Sequence, residues 1–177
     1  MPKSLSTEEI KNIPKSKLLG IINKLKDKIR DNEIVTDMFE EYGVDIDELD
    51  LIPIAFSDVD VSARTDHGVI YLNYKLLEDG DLDKDDHYFV HEITHFLQQT
   101  TGTKPTQGAN DGDYLENEFE QEGFQNQTQY LSQTRGDEAA KKYIDKVLDH
   151  HDVEDPKERI KKRKDLLHIL ITTNRIL

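Results

Sequence analysis

The stretch DDHYFVHEITHFLQQT, residues 85–100, decides the fold. Its apolar positions Phe89, Val90, Ile93, Phe96 and Leu97 recur at three- and four-residue spacing, and Gly102 stands just beyond the end, so the stretch predicts an amphipathic helix over 85–100. His91 and His95 are four residues apart and share one helix face. Their imidazoles can therefore converge on one point and supply two ligands to a metal ion. Glu92 lies just off that line, where its carboxylate can reach a water on the same ion without ligating it, as a general base must.

Upstream, Ser16 to Arg30 places Leu18, Leu19, Ile22, Leu25 and Ile29 at helical spacing behind Pro14, and Glu33 to Tyr42 repeats the pattern before Gly43. These predict N-terminal helices within 9–43. The texture then changes over 51–73: Leu51 to Phe56 is a compact apolar run, Val59 to Ala63 alternates, and Gly68 to Asn73 is rich in β-branched and aromatic residues. Three short strands are expected, with Thr65-Asp66-His67-Gly68 turning the second into the third as a hairpin. Downstream, Thr101 to Asp113 has the composition of a loop. A helix is expected over 114–134, ended by Gly136, and further helices over 137–171, the first capped by Asp137 and the last opened by Pro156 with Ile160, Leu166, Leu167, Ile169 and Leu170 as apolar positions. The expected fold class is α+β: a small twisted sheet of about three strands packed on the 85–100 helix, with helices at both ends and one domain spanning 1–177.

The 177 residues carry a formal net charge of -14, which argues against a nucleic-acid partner because phosphate backbones call for clustered Lys and Arg. The one basic run, Lys157 to Lys164, includes Glu158 and is expected to be a solvated helix face. No cysteine is present, so any transition-metal site must use histidines and carboxylates. Neither a signal-peptide pattern at Met1 to Glu9 nor a membrane-length apolar segment is found, and a cytoplasmic protein without membrane association is expected.

A catalytic zinc takes three protein ligands and keeps a fourth position open, so a third donor must come from elsewhere. Glu116, Glu118, Glu120 and Glu122 all fall on the expected 114–134 helix. Glu120 shares an inward row with Phe124, Gln127 and Leu131 and leads. Glu116, one turn earlier on the same face, is second, while Glu118 and Glu122 point further round.

HEITHFLQQ at His91 to Gln99, followed by EQEGFQNQ at Glu120 to Gln127, resembles the gluzincin branch of the zincin metallopeptidases, and in particular small bacterial and phage-borne peptidases of the ImmA type. The resemblance covers roughly residues 68–131. It departs from the family pattern in having Gly123 where alanine is usual and in surrounding Glu120 with other acids. It implies one zinc ion held by His91, His95 and Glu120, with Glu92 taking a proton from the zinc-bound water and passing it to the leaving amine of a peptide or protein substrate. It also implies that Gly68 to Asn73 is the sheet edge on which an extended substrate lies by strand addition. Tyr130, His150 and His151 are candidates for an added transition-state donor, and the 101–113 loop or a partner for substrate choice. The alternative is a catalytically silent zincin-fold interaction or virion-associated protein.

Three other patterns have simpler explanations. His87 extends the histidine row, but it and His95 are separated by about 12 Å of helix rise and cannot share one ion, so His87 is expected to cap or pack near the helix start. Asp81, Asp83, Asp85 and Glu92 fit positions of a calcium loop, yet the turn glycine such a loop needs is replaced by Asp86. Arg135-Gly136-Asp137 spells an adhesion tripeptide, but it is expected to end one helix and start the next.

Overall fold

The computed structural model describes residues 4–103 and 114–168. The architecture is α+β and mostly helical, with one three-stranded mixed sheet. The chain divides into two compact units, Met1–Gly108 and Ala109–Leu177. Residues 104–113 of the expected loop, and Ile169 and Leu170 of the expected last helix, lie outside the described residues.

In the first unit, helix α1 (Thr7–Lys11) opens on a capping box in which Ser6 and Glu9 bond each other's backbone N–H groups. Helix α2 (Lys15–Arg30) buries Ile22, Leu25 and Ile29 as its spacing predicts, whereas Leu19 is half exposed. Lys26 is buried on this helix as well. Its ammonium donates to the carbonyls of Asp50 and Ile52, and desolvation holds its pKa below the ordinary lysine value. Helix α3 (Glu33–Glu41) is capped by Asn32, whose side chain accepts from the N–H groups of Ile34 and Val35.

The strands are β1 (Ile54–Ser57), β2 (Ala63–Asp66) and β3 (Val69–Asn73), in the order β1-β3-β2. β1 runs parallel to β3 and β2 antiparallel to it. Two expectations change. The second strand starts at Ala63 rather than Val59, because the two-residue turn at His67 and Gly68, both with positive φ, sets the register by pairing Asp66 with Val69. The Asn73 side chain meanwhile donates to the carbonyls of Val59 and Val61, taking the alternating segment out of the ladder. The first strand is also shorter than its apolar run, because Leu51 closes a 3-10 turn over Ile46–Leu51.

β3 is the central strand and not the expected edge, so it has no free side on which a peptide could add. The edges belong to β1 and β2. β3 alternates in burial, with Ile70 and Leu72 inward, and Thr65 of β2 stands opposite Ile70 on the same face. Helix α4 (Asp86–Thr100) packs on β2 and β3, and Phe89, Val90, Ile93 and Leu97 are buried.

In the second unit a 3-10 turn (Tyr114–Glu116) precedes helix α5 (Glu118–Arg135), followed by α6 (Asp137–His150) and α7 (Pro156–Leu166). Leu115, Phe124, Ile144, Leu148 and Leu166 form its core. The helix expected over 114–134 starts four residues late because Asn117 caps it, its side-chain oxygen accepting from the N–H groups of Phe119 and Glu120. α7 ends at Leu166, where the Thr128 hydroxyl donates to the Leu166 carbonyl and accepts from the His168 N–H, binding the end of the helix to α5. The basic run is solvated only in part: Lys157, Lys161 and Lys164 are exposed, whereas Arg159 and Arg163 reach Asp145, Arg159 also reaches Asp149, and Lys162 reaches Glu116. Gly136, at φ 96°, ends α5 and is itself the cap of α6, so Asp137 is the first residue of that helix and not the expected cap; the two helix ends account for the Arg-Gly-Asp string. Among the described residues no helix is long and apolar enough to cross a membrane.

Candidate metal centre

Helix α4 brings the two histidines together as their spacing requires. Both side chains are buried, and their Nε2 atoms stand 3.1 Å apart. Two nitrogens each about 2.0–2.1 Å from a tetrahedral zinc stand about 3.3 Å apart, so this spacing is close to that of a pair of ligands. Glu120 is 2% exposed. His91, His95 and Glu120, all buried, each offer one ligand atom, a group that could hold a metal ion. Among the described residues it is the only such group of three or more His, Asp or Glu side chains. Two imidazole nitrogens and a carboxylate oxygen without thiolate suit zinc, and they suit other first-row divalent ions as well.

Buried charge needs partners, and the site supplies them. The Glu92 carboxylate, 6% exposed, accepts a 2.8 Å hydrogen bond from the hydroxyl of Thr65, which also lies 3.1 Å from the Glu92 carbonyl. Thr65 is fully inward on β2, so the hairpin holds a carboxylate that belongs to the helix. Gln99 reinforces the joint: its amide oxygen accepts from the Gly68 N–H and its amide nitrogen donates to the Thr65 carbonyl, both at 3.0 Å. On the other side of the pair, Nδ1 of His95 lies 2.8 Å from the amide oxygen of Gln98, which is fully buried.

Glu116, the second choice for third ligand, is elsewhere. It sits in the 3-10 turn before the Asn117 cap, half exposed, with its carboxylate paired to the Lys162 ammonium. The hydrogen bond and charge of Lys162 hold the Glu116 carboxyl below its usual pKa, and such a carboxylate is already satisfied. Of the other acids, Glu118 is exposed and Glu122 half-buried. His87 packs near the helix start, its ring 4.3 Å from that of Tyr88. The calcium pattern does not assemble, since Glu92 is turned to Thr65, Asp81 accepts from the Asp83 N–H, and Asp86 pairs with Lys28 at 2.8 Å.

Of the candidate donors, Tyr130 is 1% exposed, His150 is exposed, and the His151 ring stacks on Tyr114 at 5.2 Å. Desolvation, followed by neighbouring His150, pushes the His151 pKa below the usual histidine value. Thr65, Gln98 and Gln99 escaped sequence reasoning. Gln98 alone left a local signal, three residues after His95 on the same helix face. Compared with protein families, curated proteins and solved structures, the chain matches none.

Proposed function

We propose that the chain is a zinc-dependent metallopeptidase. The observation that carries this reading is the grouping of buried His91, His95 and Glu120 ligand atoms, with Glu92 next to His91 in the helix and its carboxylate fastened by Thr65. His91, His95 and Glu120 would hold the ion. When bound, zinc supplies Lewis acidity, polarising a carbonyl and lowering the pKa of water.

The remaining chemistry belongs to the chain. Glu92 accepts a proton from the attacking water and delivers it to the leaving amine, a role for a carboxylate fixed in orientation and shielded from bulk solvent. The Thr65 hydroxyl limits the rotation of the carboxylate. An extended peptide would pair with β2, the edge strand whose Thr65 reaches Glu92, and backbone hydrogen bonds would supply affinity with little demand on sequence.

Zinc content and peptide cleavage of the wild type and Glu92→Gln test this reading. The expected result is one zinc per chain in both proteins, with cleavage of a peptide library by the wild type alone. Equal cleavage by Glu92→Gln would contradict the assigned base. Zinc-loaded wild type that cleaves no member of the library would favour a silent, zinc-stabilised interaction protein.

A further inference from the structure

We infer that Gln98 is a positioning residue for metal capture: its buried amide oxygen fixes the His95 imidazole in the one tautomer and orientation that present an Nε2 lone pair to the ion. The inference rests on the reading of His91, His95 and Glu120 as metal ligands.

A neutral imidazole carries its proton on either nitrogen, and only the bare nitrogen can ligate. The amide oxygen of Gln98 accepts hydrogen bonds and cannot donate one. Facing Nδ1 of His95 at 2.8 Å, it draws the proton to Nδ1 and leaves Nε2 bare. That Nε2 is the atom standing 3.1 Å from Nε2 of His91, so the same contact that selects the tautomer also aims the ring at its partner ligand. Gln98 has no exposed surface. A buried carboxamide is costly to desolvate without a partner, and an apolar side chain of similar length would fill the same space more cheaply if packing were its only role. Because Gln98 is on the same helix three residues on, ligand and orienter move as one rigid piece, which keeps the loss of freedom on metal binding small. Outer partners of this kind set metal affinity as well as ligand geometry.

The experiment measures zinc affinity by competition with a chromophoric chelator for the wild type, Gln98→Met and Gln98→Glu, together with thermal unfolding of each metal-free protein. Gln98→Met keeps the length and loses the acceptor; Gln98→Glu keeps the acceptor. The expected result is zinc binding weakened roughly 10- to 100-fold in Gln98→Met and restored in Gln98→Glu, with all three metal-free proteins still folded at the temperature of the titration. Equal affinity of Gln98→Met and wild type, or equal weakening in both variants, would overturn the inference while leaving the metal site standing. A wild type that binds no zinc would instead remove the metal reading itself. Imidazole nitrogen shifts in the metal-free wild type give a check that needs no variant: His95 protonated at Nδ1 is expected, and His95 protonated at Nε2 overturns the assignment.

Discussion

Replacing Thr65 by valine removes one hydroxyl and keeps the shape of the side chain, so it isolates the bond to Glu92. A hydrogen bond to a charged group contributes about 1.5–3 kcal/mol, and its loss leaves a buried carboxylate short of a donor. Thr65→Val is expected to lose stability of that order in chemical denaturation and to lower kcat more than KM, with zinc content unchanged. Thr65→Ser, which keeps the hydroxyl, is expected to recover most of both. Unchanged turnover in Thr65→Val would separate the hydroxyl from the chemistry. The approach of His91 to His95 was legible at this scale because the helix period alone puts the two on one face. Thr65 was not, because 27 positions separate it from Glu92 and only the packing of hairpin on helix joins them.

At the scale of elements, the Asn117 cap places Glu120 in the first turn of α5, where its own N–H is bonded to the Asn117 side chain. Asn117→Ala is expected to cost about 1 kcal/mol of stability and to weaken zinc binding, since the fraying turn carries the proposed third ligand. Calorimetric unfolding and zinc competition read the two effects separately. Sequence reasoning passed over Asn117, although an asparagine followed three residues later by a glutamate is a capping signal. Helical spacing alone ran through it and carried Glu116 onto the helix by mistake.

The same 3-10 turn is tied to α7 by Glu116 and Lys162. Because the folded Glu116 pKa is lowered, this pairing stabilises the fold above the unfolded carboxyl value and is lost as pH falls below 4.5 through the lower folded value. Lys162→Met is expected to flatten that part of the acid-unfolding profile, and an unchanged profile would show that the pairing contributes nothing there. The hairpin makes a further demand on its turn. Gly68, at φ 75°, also gives its N–H to Gln99, so Gly68→Ala is expected to lower the unfolding temperature through backbone strain.

For the molecule as a whole, the alternation of helical and strand periods made the α+β class readable, and the absence of cysteine already confined any metal to histidines and carboxylates. Strand order was not readable. The hairpin from β2 to β3 is local, but the parallel pairing that seats β3 between β2 and β1 depends on how the chain crosses the sheet, and periodicity carries no record of that. Lys26 makes the same point in α2: the apolar stripe predicted the inward face, while the burial of a lysine on that helix depends on the carbonyls of Asp50 and Ile52, which no spacing records. An ion bound only by the folded chain also stabilises it by mass action, by about 4 kcal/mol at a thousandfold excess over Kd. Removing zinc with a chelator is therefore expected to lower the unfolding temperature, and a second addition of zinc to restore it. The most direct test is the zinc stoichiometry of zinc-replete wild type, His95→Ala and Glu120→Gln by elemental analysis: one zinc in the wild type with loss in both variants is expected, and a zinc-free wild type, or full retention by His95→Ala, would contradict the metal centre.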